Sequence, residues 1–187
     1  MPVDQPQPAP PVPPVLPADV ELRSPRPEDA EAWSRFLVAA QRDTYGALLP
    51  AAFGDDDLAA SRIAALESAF AEPGDAARRI AWRGSAVLGV ASASAAPADW
   101  EVALGLVPAP ASRELDRLYV HADAHGTGLG HVLFDAVVDE RPHYLWLIDG
   151  NERASRFYER RGFRHLDERV STGPSWGHIP MHRMLRG

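Results

Sequence analysis

The sequence predicts a mixed α/β domain on three observations. Apolar residues recur at helical spacing in several segments, alternating or continuous apolar runs of strand length lie between them, and a glycine-rich turn joins one strand to one helix. A chain of 187 residues suffices for one domain with its own core. With 45% hydrophobic and 24% charged residues it has the mix of an ordinary globular protein, which excludes wholesale disorder and a coiled coil. No cysteine is present, so disulfides, a thiol nucleophile and a thiolate metal site are excluded. The 26 acidic residues outnumber 19 basic ones, all arginine, and the formal charge of −7 argues against a general affinity for nucleic acid or anionic membranes. No apolar run approaches the roughly 18 residues of a membrane span, and the N-terminus lacks the charged and apolar regions of a signal peptide, so a cytoplasmic location is expected.

Residues 1–18 are proline-rich, which removes backbone donors and predicts a flexible tail ahead of a single domain over 19–187. Val20 to Arg23 alternates like a strand. Pro27, Glu28 and Asp29 suit a first helical turn, and Trp33, Phe36, Leu37 and Ala40 continue at helical spacing. Asp55 to Asp57 announce a second helix carrying Ala59, Ile63, Leu66 and Phe70, closed by Gly74. Ile80 to Trp82 and Ala86 to Val90 flank Arg83-Gly84 as a hairpin. A poorly patterned stretch with Trp100 and Pro108 precedes a strand from Glu114 to Val120. Leu129, Val132, Leu133, Ala136 and Val137 form an amphipathic helix that must stop before Pro142. Tyr144 to Ile148 reads as a strand covered on both faces. Asn151 caps a helix with Ala154, Phe157 and Tyr158 on one side, and Gly162 ends it. Two last strands follow, one from Phe163 and one from Met181 to Leu185 after Pro180.

The turn His125-Gly126-Thr127-Gly128-Leu129-Gly130 carries the first functional signal. Glycines permit close backbone approach, and free amides at a helix start attract anions, so the turn can cradle a phosphate or pyrophosphate or can simply connect strand to helix tightly. A dinucleotide fingerprint needs glycine where His131 stands, although Asp149 lies at a suitable distance for a ribose contact. A P-loop is excluded because no Gly-Lys-Ser/Thr occurs.

The turn matches the phosphate-loop pattern Arg/Gln-x-x-Gly-x-Gly/Ala except for His125, and the strand before it ends in Leu118-Tyr119-Val120. Downstream, Asn151 to Phe163 matches Asn-x-x-Ala-x-x-Phe-Tyr-x-x-x-Gly-Phe in full. With these motifs the chain resembles the GNAT superfamily of acetyl-CoA-dependent N-acetyltransferases, strongly over 114–163. Tyr45 to Pro50 also resembles the Tyr-x-x-Leu-Leu-Pro segment of small bacterial members. The resemblance implies a GNAT-like acyl-CoA N-acyltransferase fold, with a mostly antiparallel central sheet whose fourth and fifth strands run parallel and splay apart, flanked by helices. It implies an enzyme that moves the acetyl group of acetyl-CoA to a primary amine of a small molecule or peptide, as monomer or homodimer, with no metal. Two other readings stand beside it: a non-catalytic acetyl-CoA-binding domain and a nucleotide-binding oxidoreductase.

By that resemblance, the amides of Gly126, Thr127, Gly128, Leu129 and Gly130 hold the coenzyme's pyrophosphate. His125 contributes a donor whose charge depends on pH. The backbone of Leu118, Tyr119 and Val120 pairs with the pantetheine arm, and Asn151 contacts that arm or caps its helix. Tyr158 resembles the tyrosine that protonates the departing thiolate, or it packs in the core. Glu114 stands where many members carry the general base. Strand alternation places Glu114, Asp116, Leu118 and Val120 on one face, which makes Asp116 a rival. Arg153, Arg156 and Arg160 share a helix side, either solvated or reaching a phosphate. His121, His178 and His182 lack a metal-ligand spacing. Trp33, Tyr45, Leu48, Trp100 and Trp176 are expected to shape the acceptor site.

Overall fold

The computed structural model describes residues 16–54 and 59–187. One twisted sheet is built from β1 (Glu21–Arg23), β2 (Ala77–Arg83), β3 (Ala86–Ala95), β4 (Arg113–Val120), β5 (His143–Ile148), β6 (Arg164–His165), β7 (Val170–Ser171) and β8 (Pro180–Arg186). Its spatial order is β1-β2-β3-β4-β5-β8-β6, with β7 also paired to β8. Helices α1 (Ala30–Tyr45), α2 (Ala59–Ala71) and the short α3 (Asp99–Ala103) precede β4, and α4 (Leu129–Asp135) and α5 (Glu152–Glu159) follow it. Every pairing is antiparallel except β4 with β5. That parallel pair is joined only at Arg113 with His143 and at Glu114 with Tyr144, while β5 pairs along its whole length with β8. Beyond Glu114 the two strands part, as the family resemblance implies.

The acidic residues expected to open α1 do so by bonding backward. Asp29 accepts from the Arg26 amide at 2.7 Å and takes both terminal nitrogens of Arg23, which ties β1 to the helix and holds the Asp29 carboxyl below its usual range. The face of the sheet under α1 and α2 buries Trp33, Phe70, Ile80 and Val90, and the face under α4 and α5 buries Leu115, Leu129, Leu133, Phe134, Leu145 and Met184. A smaller apolar group, Ile148, Ile179 and Met181 with Tyr45, Leu49, Leu106 and Trp146, closes the end beyond the fork.

Several expectations are revised. The tail expected over 1–18 lies outside the described residues up to position 15, but Leu16 packs against the core under α4. The aspartates expected to start α2 also lie outside them. The poorly patterned stretch contains α3, and the strand expected from Phe163 is two short strands on β8. Trp33 lies in the core against the edge of Phe70, with ring centroids 5.3 Å apart, and does not reach the cleft.

The alternation expected along β4 is broken by a register shift: Ser92 pairs with Arg117 but Ala93 pairs with Leu115, so Asp116 is an extra residue. Paired residues share a face. Leu118 and Val120 therefore face α4 and α5, together with Leu115, whereas Glu114 sits opposite Ser94 on the other face with Tyr119. Asp116 also turns to that side, where it accepts from the Ser94 hydroxyl at 2.7 Å. Among the described residues no helix is long and apolar enough to cross a membrane.

Because Trp33 belongs to the core, Trp33→Ala should cost about 3–5 kcal/mol of stability in urea denaturation and leave acceptor selectivity unchanged. A variant of normal stability with altered acceptor preference would return Trp33 to the substrate site.

Candidate active site

The fork between β4 and β5 opens into a cleft of about 440 Å³. Leu118, Tyr119 and Val120 line it from β4, Leu145 to Leu147 from β5, and Asn151, Arg153, Ala154, Phe157, Tyr158 and Arg160 from α5. Gly126, Gly128 and Gly130 line one end, and Thr44 and Tyr45 from the end of α1 close one side. Of the loop residues expected at a phosphate, Thr127 and Leu129 do not reach the cleft. The Thr127 hydroxyl donates to Ala124 O at 2.7 Å and so braces the turn, and Leu129 is buried in the core.

Gly126 and Gly128 adopt φ of 77° and 88°, backbone conformations that side chains rarely tolerate. A Cβ at Gly126 would project into open space, so the loop presents bare backbone where an anion can approach. His125 is held between β4 and α5: its Nε2 lies 3.0 Å from Val120 O, and Arg153 Nη1 lies 2.8 Å from its Nδ1 and 3.1 Å from its Nε2. Permanent charge at this end is carried by Arg153 and Arg160 from α5. Arg156 points elsewhere and pairs with Glu152.

The sequence left Asn151 as either cap or cleft residue, and the structure gives it both places. Its Oδ1 accepts from Ala154 N at 3.1 Å, and its Nδ2 donates to the Tyr45 hydroxyl at 2.9 Å. Tyr158 is nearly buried between Phe157 and Phe163, as the packing alternative expected, yet it also lines the cleft beside Tyr45 and Tyr119. Burial, followed by the neighbouring tyrosines, raises its hydroxyl well above the usual range, so it is a protonated donor throughout neutral pH.

At the other end Asp116 is the one acidic side chain on the cleft wall among the described residues. Glu114 lies behind it, 3% exposed and off the wall, with Oε2 unpartnered. Glu101 of α3, which sequence reasoning missed, completes the acid group. It is fully buried and accepts from Tyr144 OH at 2.6 Å, Trp146 Nε1 at 2.9 Å and Ala98 N at 2.8 Å. Burial, then the charges of Asp116 and Glu101, push the Glu114 carboxyl up to about 8. Asp116 is also raised by burial, but the Ser94 hydroxyl and Arg117 oppose the rise. Glu114 therefore holds its proton at neutral pH, and Asp116 is the carboxyl that faces the cleft. The only hint of Glu101 in the sequence is the pair of acids at positions 99 and 101 beside Trp100, which carries no pattern that marks burial.

Among the described residues no group of three histidine or acidic side chains could hold a metal. The tryptophan and tyrosine expected near an acceptor are partly there. Tyr45 lines the cleft, Trp176 packs edge-on against Tyr45 and Phe53, and Trp100 packs on the cleft residue Trp146. Leu48 is exposed.

A splayed parallel pair with a glycine turn at its mouth and a tyrosine-bearing helix beyond defines an acyl-transfer scaffold. The chain belongs to the acetyltransferase (GNAT) domain family, whose model matches residues 55–185. No curated protein matches it. Among solved structures it is similar to the PaiA N-acetyltransferase of Thermoplasma acidophilum in complex with coenzyme A, at 16% identity and a TM-score of 0.61 over 89% of this chain and 98% of that one. It is also similar to NAA60 of Arabidopsis thaliana in complex with a bisubstrate analogue, at 18% identity and 0.59 over 89% and 98%. Naa50 of the same plant, in complex with the bisubstrate analogue CoA-Ac-MVNAL, matches at 19% identity and 0.56 over 91% and 99%.

The buried Glu114 carboxyl makes stability depend on pH. Its folded value of about 8 lies above the 4.5 of an exposed glutamate, so between these values the folded chain holds a proton that the unfolded chain has released. The penalty is absent below 4.5 and grows as pH rises to 8. Glu114→Gln should gain on the order of 1–3 kcal/mol over the parent chain at pH 8 and little at pH 5, measured by urea denaturation. Equal differences at both pH values would show that this carboxyl ionises freely.

Proposed function

We propose that the protein binds acetyl-CoA in the fork and passes its acetyl group directly to a primary amine of a small molecule or peptide. The polarity of the cleft carries this reading: bare glycine backbone, Arg153 and Arg160 stand at one end, Asp116 stands at the other, and Tyr158 lies on the wall between. The first end suits a pyrophosphate and the second an ammonium. Beyond Glu114, the edge of β4 that faces β5 is without a strand partner. An extended amide-bearing arm can add there as a strand against Leu118 to Val120.

Coenzyme A bound as its acetyl thioester supplies an activated carbonyl and a thiolate leaving group. The chain's own residues supply positioning and proton transfer. Asp116 draws the amine in as its cation and accepts the proton that the nitrogen must lose to attack. Glu114, protonated behind it, keeps a second negative charge from competing for that site. The Tyr158 hydroxyl, high in pKa and still carrying its proton, donates to the sulfur as the carbon–sulfur bond breaks and is restored by the second proton that the nitrogen sheds as the amide forms. The absence of cysteine removes one covalent route, an acyl-thioenzyme.

The cofactor assignment is tested at Gly130, whose backbone tolerates a side chain. A Cβ there meets only Val120 Cγ2 at 3.7 Å and Phe157 Cε2 at 3.9 Å, both ordinary contacts. Gly130→Val should therefore fold yet weaken acetyl-CoA binding by about tenfold or more in calorimetry, by filling the cradle. Unchanged affinity would remove the phosphate from this loop.

For the chemistry, Tyr158→Phe keeps the ring packing and removes one oxygen. Thiol release with an amine acceptor should fall on the order of 10²-fold in kcat, with acetyl-CoA affinity little changed. Asp116→Asn should lower kcat/KM for the amine by a similar factor. Full activity in both variants would leave water to carry the protons. Tight binding of acetyl-CoA by the parent chain with no thiol release from any amine would make the domain a binding module.

A further inference from the structure

The acceptor end of the cleft has a composition that narrows its substrate. Among the described residues, the carboxylates near the fork other than Asp116 are already committed or protonated, Asp149 to His182 Nδ1 at 2.5 Å. Glu101 is saturated by Tyr144, Trp146 and Ala98, Glu168 holds the Arg183 guanidinium at 2.6 and 2.7 Å, and Glu114 carries a proton. Asp116 is the acid on the cleft wall among the described residues, with the Ser94 hydroxyl donating to Oδ1 and with Ser92 and Arg117 beside it. One open carboxylate accommodates one cationic nitrogen.

The carboxylate itself has Ser92, Ser94 and Arg117 beside it, while the β5 wall of the cleft, Leu145 to Leu147, is apolar. Trp146 lines the cleft and is fixed from three directions, by its Nε1 bond to Glu101, by the Arg183 guanidinium 4.8 Å from its ring centre, and by Trp100 at 5.5 Å with planes inclined at 58°. Arg183 is itself held by Glu168, so the wall cannot fold away to admit a polar chain. Trp100 remains 38% exposed next to it. The exposed apolar surface continues along the same segment through Val102, Leu104 and Val107, each about half exposed. A ring stacked on Trp146 and Trp100 would cover part of this surface and meet an aromatic pair already set at an angle.

We propose that the acceptor is an arylalkyl monoamine, its ammonium on Asp116 and its ring against Trp146 and Trp100. This rests on the acetyl-transfer reading above and names the substrate class of that site. The ring's position also accounts for Glu101. A buried carboxylate on a five-residue helix is an expensive way to join α3 to the sheet, but it fixes both the indole of Trp146 and, through the helix, Trp100 beside it.

The experiment measures acetyl-CoA thiol release by the full chain with phenethylamine and tryptamine against butylamine, spermidine and a peptide with N-terminal methionine. The aryl amines should exceed butylamine about tenfold or more in kcat/KM, with spermidine and the peptide below them. Trp100→Ala should reduce the aryl-to-butyl ratio to within about threefold, and Trp100→Phe should preserve most of it, which separates lost stacking from lost folding. Equal rates for aryl and alkyl amines, or a preference for spermidine or the peptide, would overturn the assignment while leaving acetyl transfer to amines standing. Absence of transfer to every amine, with acetyl-CoA still bound, would overturn both.

Discussion

The parting of β4 from β5 is the constraint on which the site depends. Two neighbouring parallel strands gain a hydrogen-bond ladder by staying together, so a fork needs something that withholds that ladder. Here β5 is committed to β8 at every residue from His143 to Ile148, and β4 is committed to β3. The extra residue at Asp116 then bends β4 immediately after its last pairing with β5. The backbone groups left open along the fork are polar and lie against an apolar interior. This makes the cleft a place where an extended, amide-rich ligand is favoured, and it places the glycine turn at the cleft's end.

The same bulge sorts the chemistry. Had β4 alternated without interruption, Glu114 and Asp116 would share a face with Leu118 and Val120 and point into the packed layer beneath α4. The register shift instead turns both acids toward the face carrying Tyr119, Tyr144 and Trp146. One backbone irregularity thus opens the fork and delivers a carboxylate to its wall.

Much of this was legible in the sequence because it rests on local patterns. Glycine spacing marked the turn, the Asn151 to Phe163 motif marked α5 and its cap, and the continuous apolar run of Tyr144 to Ile148 marked a strand covered on both faces. The bulge was not legible, since Arg-Glu-Leu-Asp-Arg-Leu alternates as well with a break as without one, and only pairing with β3 decides where the break falls. For the same reason the alternation along β4 points to Glu114 at the reaction with Asp116 as its rival. Trp33 was drawn toward the acceptor site because a tryptophan on an amphipathic helix reads alike whether it faces a cleft or Phe70. Glu101 escaped because a five-residue helix has too few turns to show a period.

The acid cluster also shows where stability and function pull apart. Burying Glu101, Glu114 and Asp116 within one patch is unfavourable for folding, and the surroundings offset that only in part. Glu101 is offset by three donors, and Asp116 by Ser94 and by the nearby charge of Arg117. Glu114 keeps an unpartnered oxygen and resolves the conflict by holding its proton. A core built for stability alone would place apolar side chains at these positions. The uncompensated part of the cost falls on the Glu114 carboxyl, directly behind the cleft wall that Asp116 reaches. On the proposed reading an incoming ammonium would meet Asp116, the member of the patch that reaches the wall, while Glu114 behind it stays neutral.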